Sequence, residues 1–349
     1  MSKQGKILLI LTGGTICSQA DDSGHNFSNQ AVAEPKLLDR YKNSTSPYRN
    51  VDFDVASPLD ILSENMTTHA WNTLLAFLKT VPFQDYQGVL IAHGTDTLAY
   101  TASMVSFALA GISIPVVLVS SDYSLDDPRN NGTTNFMTGA DLIQEGLAPG
   151  VYAVYRNGDG VTYLHHACQL RQCGDYSNDF FSRDMIPASE VICRQISWSQ
   201  PSVKEGRKLP LYQTGTIRDC VLYLRPYTGI NYARYDLTGL RAVVHGLFHA
   251  RTACVEITSP DQSYGDSSVL SLLDRCHKSG IDFYIVPCQS EDYSYSSTSF
   301  IFDHGARGLY GMTPEASYVK VLLSYAMDFP SEEEREDFLR KDLCGEYCY

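Results

Sequence analysis

Two short runs decide the fold of this chain: Thr12-Gly13-Gly14-Thr15-Ile16 and His93-Gly94-Thr95-Asp96-Thr97. Each run follows an apolar stretch, residues 7 to 11 for the first and 88 to 92 for the second, that is typical of a buried strand. Strands that lead through a turn into a helix form open parallel sheets, and ligands bind at the carboxyl ends of such strands. The two runs therefore predict a site lined by threonine hydroxyls at one edge of a parallel sheet.

Strand and helix patterns alternate on both sides of these runs, which favours an α/β fold. In the first half we predict strands at 6–12, 51–57, 88–92, 115–120 and 150–155 and helices at 67–78, 98–109 and 135–144, with Thr67 as a helix cap. In the second half we predict strands at 221–224, 241–244 and 282–286 and helices near 232–237, 267–279, 313–325 and 331–340. The expected architecture is a parallel-sheet N-terminal domain with a smaller α/β C-terminal domain.

The length of 349 residues favours two domains, because a single hydrophobic core stops growing near this size. The alternating pattern lapses between residues 196 and 213 into Pro, Ser, Lys and Gly, which are typical of a linker. We therefore predict an N-terminal domain at 1–198, a linker at 199–215 and a C-terminal domain at 216–349.

The composition points to a small-molecule partner. A net charge of −13 argues against binding to nucleic acid or to an anionic membrane, since both depend on Lys and Arg neutralising phosphates. The first apolar run is too short for a secretion signal, and no apolar run is long enough to span a bilayer, so we expect a cytoplasmic protein. The ten cysteines are scattered and lack the paired spacing of a zinc site, so we predict reduced thiols, no metal and no cofactor.

Threonine turns of this kind suit acyl transfer. A hydroxyl is a poor nucleophile that needs a base, a positioned substrate and donors for the developing oxyanion. The glycines beside Thr15 let backbone amides approach a substrate oxygen, Thr95 can hold a hydroxyl or water, and Asp96 can bind a cation. Taken singly, a threonine at a strand end is more often a helix cap, but two such runs in one chain favour a substrate site.

The order of these motifs resembles the L-asparaginase family, and most of all its cytoplasmic bacterial type I branch. The resemblance extends to three further segments: Ser63-Glu64-Asn65-Met66-Thr67, Pro226-Tyr227-Thr228-Gly229-Ile230 and Gly311-Met312-Thr313-Pro314-Glu315-Ala316. It covers essentially the whole chain. It implies hydrolysis of L-asparagine to aspartate and ammonia through an acyl-enzyme.

The resemblance also implies roles for individual residues. Thr15 would be the nucleophile and Thr95 the second catalytic threonine, while Asp96 would bind the substrate amino group and Ser63 the α-carboxylate. Gly14 and Gly94 would bring backbone amides close to the substrate, and Glu64 would add a polar contact. The family forms dimers or tetramers, so a homodimer or homotetramer is expected.

Two positions depart from the family pattern. The family's catalytic lysine is expected near Leu170-Arg171-Gln172-Cys173, yet no lysine occurs between Lys79 and Lys204. Arg171 cannot fully replace it, because a guanidinium does not deprotonate. Arg171, Asp122 or an ordered water is therefore a candidate for the space beside Asp96.

The second departure is in the stretch from Ser18 to Gln30, which we predict to be a mobile loop that acts as a lid. The family places a proton-relaying tyrosine there, and the nearest equivalent in this chain is His25. Histidine titrates near neutrality and can serve as a base for Thr15, so His25 is a candidate catalytic residue. A solvated loop histidine is the alternative.

Three functions follow from this pattern. The first is an amidohydrolase acting on L-asparagine or a close amino-acid amide. The second is a noncatalytic or altered-specificity homologue that binds an amino acid, which the missing lysine favours. The third is an amidase component that supplies ammonia for tRNA-dependent amidotransfer, which the acidic charge disfavours.

Overall fold

The computed structural model describes residues 5–20, 26–193, 209–256, 264–288 and 295–348. The chain forms two compact units, one made of Met1–Thr214 with Leu343–Gly345 and the other of Gly215–Asp342 with Glu346–Tyr349. Most of the stretch predicted as a linker, 199–215, lies outside the described residues, and its described end contains a 3-10 helix at Pro210–Gln213. The mixed α/β fold class is confirmed in both units.

The first unit contains most of the secondary structure. Its strands are β1 Ile7–Leu11, β2 Ser18–Ala20, β3 Asn26–Ser28, β4 Phe53–Ala56, β5 Gly88–Ala92, β6 Pro115–Val119, β7 Gly150–Arg156, β8 Thr162–His166 and β9 Ile186–Pro187. Its helices are α1 Gln30–Lys42, α2 Thr68–Leu78, α3 Leu98–Ala108, α4 Gly132–Gln144 and α5 Ala188–Cys193. Short 3-10 helices occupy Thr15–Cys17, Ser63–Asn65, Phe83–Asp85 and Ala167–Gln169.

Seven of these strands form one sheet in the order β4-β1-β5-β6-β7-β8-β9. The strands from β4 to β7 are parallel, and β8 and β9 extend the sheet in antiparallel orientation. The register runs straight across the centre, pairing Leu11 with Ala92, Ala92 with Val119 and Val119 with Val154. The strand ends that carry the two threonine runs are therefore adjacent.

Both faces of this sheet are buried, as expected of parallel strands covered by helices. On one face, alternate strand residues such as Leu90 and Val117 pack with Leu37 of α1 and Phe136 of α4. The opposite face is buried too, at residues such as Ile91. Helix α3 contacts β7 and has ten of its eleven residues buried. The turns that follow these strands are therefore attached to a sheet that is packed on both faces.

The second unit is a smaller α/β assembly. Its strands are β10 Val221–Leu224, β11 Ala242–Gly246, β12 Asp282–Cys288 and β13 Arg307–Tyr310, which form a four-stranded parallel sheet in that order. Its helices are α6 Val269–Lys278, α7 Ser296–Asp303, α8 Pro314–Ser324 and α9 Glu332–Arg340. Helix α6 packs on this sheet through Leu272, Leu273 and Cys276.

Several predicted elements need correction. The stretch from Ser18 to Gln30, predicted to be a loop, instead contributes the antiparallel pair β2 and β3 and the first residue of α1, because Ser18 pairs with Ser28 and Gln19 with Phe27. The helix predicted near residues 232–237 is a single 3-10 turn at Tyr232–Arg234. Strands β8 and β13 and helix α7 were not predicted. The cap at Thr67 is confirmed, since its side chain accepts a hydrogen bond from Ala70 N.

Among the described residues, no helix is long and apolar enough to cross a membrane.

Candidate active site

The first threonine turn is locked to its neighbours by hydrogen bonds. Thr12 Oγ1 donates to Ala92 O at 2.9 Å, and Gly14 N donates to Ile61 O at 2.8 Å. Gly13 has a φ of 102°, and a Cβ there would lie 2.1 Å from Ile61 O. Only glycine fits this position, for reasons of both conformation and space.

The second turn lies directly against the first. A Cβ on Gly14, whose φ is 77°, would be 2.3 Å from the N and Cα atoms of Gly94. A Cβ on Gly94 would be 2.4 Å from Ser63 Oγ. The first two turns thus meet backbone to backbone at Gly14 and Gly94, and the Ser63 side chain of the third turn packs against Gly94. The two glycines make these close contacts possible.

Ser63 connects the third turn to the second. It is buried, and its hydroxyl oxygen accepts a hydrogen bond from Asp96 N at 3.2 Å. Its carbonyl oxygen accepts from Thr97 Oγ1 at 2.9 Å. The Ser63 hydroxyl proton is not used in either bond, so the hydroxyl can still donate to a ligand.

The remaining site residues from the sequence differ in exposure. Thr15 begins the 3-10 helix Thr15–Cys17 and is half-buried, as is Thr95. Asp96 and Glu64 are exposed. The structure therefore brings Thr15, Thr95, Asp96 and Ser63 together through contacting turns, with Glu64 beside Ser63. His25 lies outside the described residues.

The buried side chain of His93 hydrogen-bonds the backbone of the second turn. It is fully buried, and its Nδ1 lies 2.7 Å from Gly94 O. A carbonyl oxygen can only accept, so Nδ1 carries the proton. Burial lowers the pKa of His93 to about 4, so the ring is neutral near pH 7. His93 is therefore a positioning residue for the turn.

Gln172 is the residue that sequence reasoning missed. Its Nε2 donates to Thr95 O at 2.8 Å, and its Oε1 accepts from Ala99 N at 3.4 Å. It therefore bridges the threonine turn and the first turn of α3. The family resemblance points to this segment through its missing lysine, but the candidate it suggests is the adjacent Arg171.

Of the two other candidates for the space beside Asp96, the Asp122 carboxylate has hydrogen-bond partners elsewhere, and Arg171 is fixed through its backbone. Arg171 is exposed, and its backbone N–H donates to Phe181 O at 2.8 Å. The Asp122 carboxylate accepts from Tyr123 N at 2.9 Å and from Asn131 N at 3.0 Å, so it organises its own loop.

Cys173, next to Gln172, lies within the electrostatic influence of Asp96. Burial is the main cause that raises the pKa of its thiol, and the Asp96 carboxylate adds to the effect. The thiol is therefore protonated near pH 7. The Asp96 carboxylate is close enough to interact electrostatically with the segment that carries Gln172.

The segment that carries Gln172 is braced by a distant stretch of the same unit. Gln169 Nε2 donates to Gly345 O at 2.7 Å, and Cys168 Sγ lies 3.7 Å from Cys344 O. The space is tight, because a Cβ on Gly345 would lie 2.8 Å from the His166 ring. Residues 343–345 therefore complete the packing beneath the 3-10 helix Ala167–Gln169.

The described residues contain no cluster of three or more His, Cys, Asp or Glu side chains placed to hold a metal ion. His166 Nδ1 lies 3.1 Å from Cys168 Sγ, and His165 Nδ1 lies 2.9 Å from Ser182 Oγ, so these two histidines contact different partners.

Comparison with known proteins places this geometry in a family. The family model described as "Asparaginase, N-terminal" matches residues 6–204. The D subunit of a glutamyl-tRNA(Gln) amidotransferase, from Methanosphaera stadtmanae, is 24% identical over 360 residues, covering 99% of this chain and 77% of the relative.

Solved L-asparaginases share the fold. The thermostable L-asparaginase from Thermococcus kodakarensis superposes with a TM-score of 0.71 at 19% identity, covering 98% of this chain and 99% of that one. L-asparaginase I from Vibrio cholerae gives a TM-score of 0.71 at 21% identity, covering 99% of both chains. These likenesses show the fold, while the family model covers more than half of the sequence. The chain belongs to the asparaginase family.

Proposed function

We propose that this protein is an amidohydrolase that converts L-asparagine, or a close amino-acid amide, to aspartate and ammonia, with Thr15 as the nucleophile. The observation that carries the proposal is the meeting of three turns at Gly14, Gly94 and Ser63. That contact puts two threonine hydroxyls, a serine hydroxyl and a carboxylate into one small region. Membership of the asparaginase family supports the same reaction class.

The reaction runs in two steps. The Thr15 oxygen attacks the side-chain amide carbon, the C–N bond breaks, and ammonia leaves with the proton that Thr15 gives up. Water, held by Thr95 and Asp96, then attacks the acyl ester, releases aspartate and returns a proton to Thr15. Backbone amides are suitable donors for the oxyanion that forms in each step. Because Gly14 N already bonds Ile61 O, the donors come from other amides of these turns.

The substrate's charged groups fit the rest of the site. The exposed Asp96 carboxylate attracts the ammonium group of an amino acid. The Ser63 hydroxyl, which already accepts from Asp96 N, uses its proton to bind the α-carboxylate. Glu64 adds a polar contact at the edge. An amino acid with both groups is therefore preferred over a simple amide.

We assign the role of proton acceptor for Thr15 to His25. The amide of Gln172 has no basic lone pair, so it positions Thr95 without moving a proton. His93 is bonded to Gly94 O and buried, which leaves it unsuited to reach substrate. His25 retains a titratable ring in the segment that follows Thr15.

The test is ammonia release from L-asparagine, L-glutamine and D-asparagine. Thr15→Ala should lower the rate about 10⁴-fold, since removing a nucleophile leaves only binding and oxyanion stabilisation. Thr15→Ser is the matched control, because it keeps the hydroxyl and should retain measurable turnover. Wild-type protein that releases no more ammonia than Thr15→Ala from any of the amides would refute the proposal.

A second candidate function is amino-acid binding without turnover. It is favoured by Gln172, which stands in the segment where the family lysine was expected and bonds the backbone of Thr95. Calorimetry separates the two functions: binding of L-aspartate or L-asparagine with no ammonia release supports the binding homologue.

A third candidate is ammonia supply to amidotransfer, favoured by the similarity to the D subunit of glutamyl-tRNA(Gln) amidotransferase. In that case ammonia release would rise on addition of a partner protein and aminoacylated tRNA. Release at full rate by this chain alone argues for the simple hydrolase.

We also propose that the protein is a cytoplasmic homodimer or homotetramer. The support is the resemblance to the family, whose members are dimers or tetramers. Light scattering after size-exclusion chromatography measures the assembly directly, and a monomer at micromolar concentration would contradict it.

A further inference from the structure

The backbone immediately before Thr15 is paired with Ile61. Gly14 N donates to Ile61 O at 2.8 Å, and Ile61 N donates to Thr12 O at 3.2 Å. Between these two bonds, Gly13 and Ile61 form an isolated parallel bridge. One end of the stretch that contains Thr15 is therefore fixed to the segment that leads into the Ser63 turn.

The backbone that follows Thr15 turns back through the hairpin of β2 and β3. Ser18 Oγ donates to Thr15 O at 2.9 Å, and Asn29 N donates to Cys17 O at 2.7 Å. The side chain of Asn29 also donates to Gln19 Oε1 at 3.1 Å. The start of α1 is therefore bonded directly to the 3-10 helix that Thr15 begins.

Two side chains at the end of β3 and the start of α1 return to the residues just before the bridge. Gln30 Nε2 donates to Leu59 O at 2.5 Å, and Ser28 Oγ donates to Asp60 Oδ1. Gln30 is buried, with 7% of its surface exposed, whereas Asp60 is exposed. Three consecutive residues, 59 to 61, thus bond both ends of the stretch that contains Thr15.

The stretch from Gly14 to Gln30 is therefore a closed loop, fixed to backbone oxygens of Leu59 and Ile61 that are two positions apart. A chain segment whose ends are held together has fewer accessible conformations than an open one. A reacting group gains rate from being held in one orientation. Because the Gln30 amide is buried, losing its acceptor would also leave it unsatisfied, which favours keeping the loop closed.

We propose that Gln30 is a positioning residue for Thr15, and that the Ser28–Asp60 pair reinforces the same closure at the surface. Gln30 acts through Leu59 and Ile61 on the backbone beside Thr15, without contacting substrate. Its effect on rate rests on the proposed amidohydrolase function. Its effect on the mobility of the turn does not depend on that function.

Hydrogen exchange measured by mass spectrometry on the full chain tests the mobility of the turn. Gln30→Leu removes the donor at similar volume, and peptides covering residues 12–20 should exchange about tenfold faster than in wild type. The matched control is Gln144→Leu. Gln144 Nε2 also donates to a backbone oxygen, Gly5 O at 3.2 Å, but before the opposite end of β1. Exchange at residues 12–20 that is unchanged in Gln30→Leu would overturn the proposal.

Ammonia release tests the consequence for catalysis. Gln30→Leu should lower kcat about tenfold and leave KM nearly unchanged, because a misoriented nucleophile slows the chemical step without removing a substrate contact. Gln144→Leu should keep the wild-type kcat. A loss confined to KM, or a wild-type kcat despite faster exchange, contradicts the positioning role. Wild-type protein without turnover refutes the amidohydrolase instead, and the exchange result then decides alone.

The Ser28–Asp60 pair provides a second test at the surface, where substitution preserves the fold. Asp60→Ala removes the acceptor and should speed exchange at residues 12–20 about threefold, whereas Asp60→Asn keeps an acceptor and should restore the wild-type rate. Asp54→Ala is the control, because Asp54 is bonded to Lys6 instead. Identical exchange in Asp60→Ala and wild type would overturn the reinforcing role of this pair.

Discussion

The dipeptide His-Gly occurs at the end of a parallel strand in each unit, as His93-Gly94 after β5 and His245-Gly246 at the end of β11. Both histidines are fully buried, and burial lowers the pKa of each to about 4. Their surroundings differ. Each histidine has a hydrogen bond to the backbone of the glycine that follows it, but His245 Nε2 also lies 2.7 Å from the hydroxyl of Tyr232.

The two glycines differ in how closely neighbouring segments approach them. A Cβ on Gly94 would lie 2.4 Å from Ser63 Oγ, while a Cβ on Gly246 would lie 3.2 Å from Leu224 O. Gly94 contacts two other turns, and Gly246 approaches the end of the neighbouring strand and the residue after it. The same dipeptide in the same topological position thus forms part of a candidate site only where turns from separate segments converge.

The glycine pair should show the largest contrast. Gly94→Ala forces Ser63 or Gly14 to move, and a displacement of about 1 Å in an active site can cost about 100-fold in rate. Gly246→Ala needs a shift of a few tenths of an ångström and should change the rate less than about threefold. Ammonia release by both variants, with circular dichroism to verify folding, measures this. Equal losses of rate in the two variants would show that the convergence of turns at Gly94 is not what distinguishes it from Gly246.

The two histidines should behave alike in their effect on stability. Each has a folded-state pKa of about 4 against an unfolded value of 6.5. As pH falls from 6.5 towards 4, these histidines become protonated in the unfolded chain but stay neutral in the folded chain. The free energy of unfolding therefore falls. Each histidine should account for about 2 kcal/mol of that loss by pH 5. His165, whose pKa burial lowers to about 3, adds to the same slope.

Urea unfolding at pH 7 and pH 5 measures these contributions. His93→Asn keeps a donor at the Nδ1 position, and His245→Gln keeps a polar group at the Nε2 position. Each variant should lose less stability than wild type between the two pH values, and by a similar amount. A pH dependence identical to that of wild type in either variant would mean that the histidine titrates normally in the folded chain.

The smallest expected effect on the rate concerns Gln172. Its side chain hydrogen-bonds the turn that follows His93-Gly94 and has no counterpart described at His245-Gly246. Gln172→Leu removes the donor to Thr95 O and should lower kcat about tenfold, as expected for loss of one positioning hydrogen bond of about 1.4 kcal/mol. The KM should change little if the bond positions Thr95 without touching substrate. Gln172→Asn, which is one methylene shorter, serves as the control for polarity. A loss confined to KM would place Gln172 in substrate binding instead.

Much of the central architecture was predictable because its signals are local. Continuous apolar runs identified β1, β5, β6 and β7, and the glycines that follow β1 and β5 indicated close backbone approach. The antiparallel strand β8 was missed, because its residues are only partly apolar and its position depends on pairing with β7. Helix α1 was missed as well, since it has Pro35 inside it and only a weak apolar stripe.

The site was less predictable than the fold. The threonine runs and Ser63 carry recognisable sequence patterns, so their selection needed no tertiary information. Gln172 carries no pattern: it bonds a residue 77 positions away, and an isolated glutamine in a loop is ordinary.

The brace at Leu343–Gly345 has a consequence for biosynthesis. Gln169 and Gly345 are bonded across 176 positions of sequence, so the first unit is assembled from two pieces that leave the ribosome far apart in time. A nascent chain that has reached residue 214 already contains both threonine turns and Gln172. It still lacks the stretch that packs beneath the 3-10 helix Ala167–Gln169, so the candidate site is fully supported only late in translation.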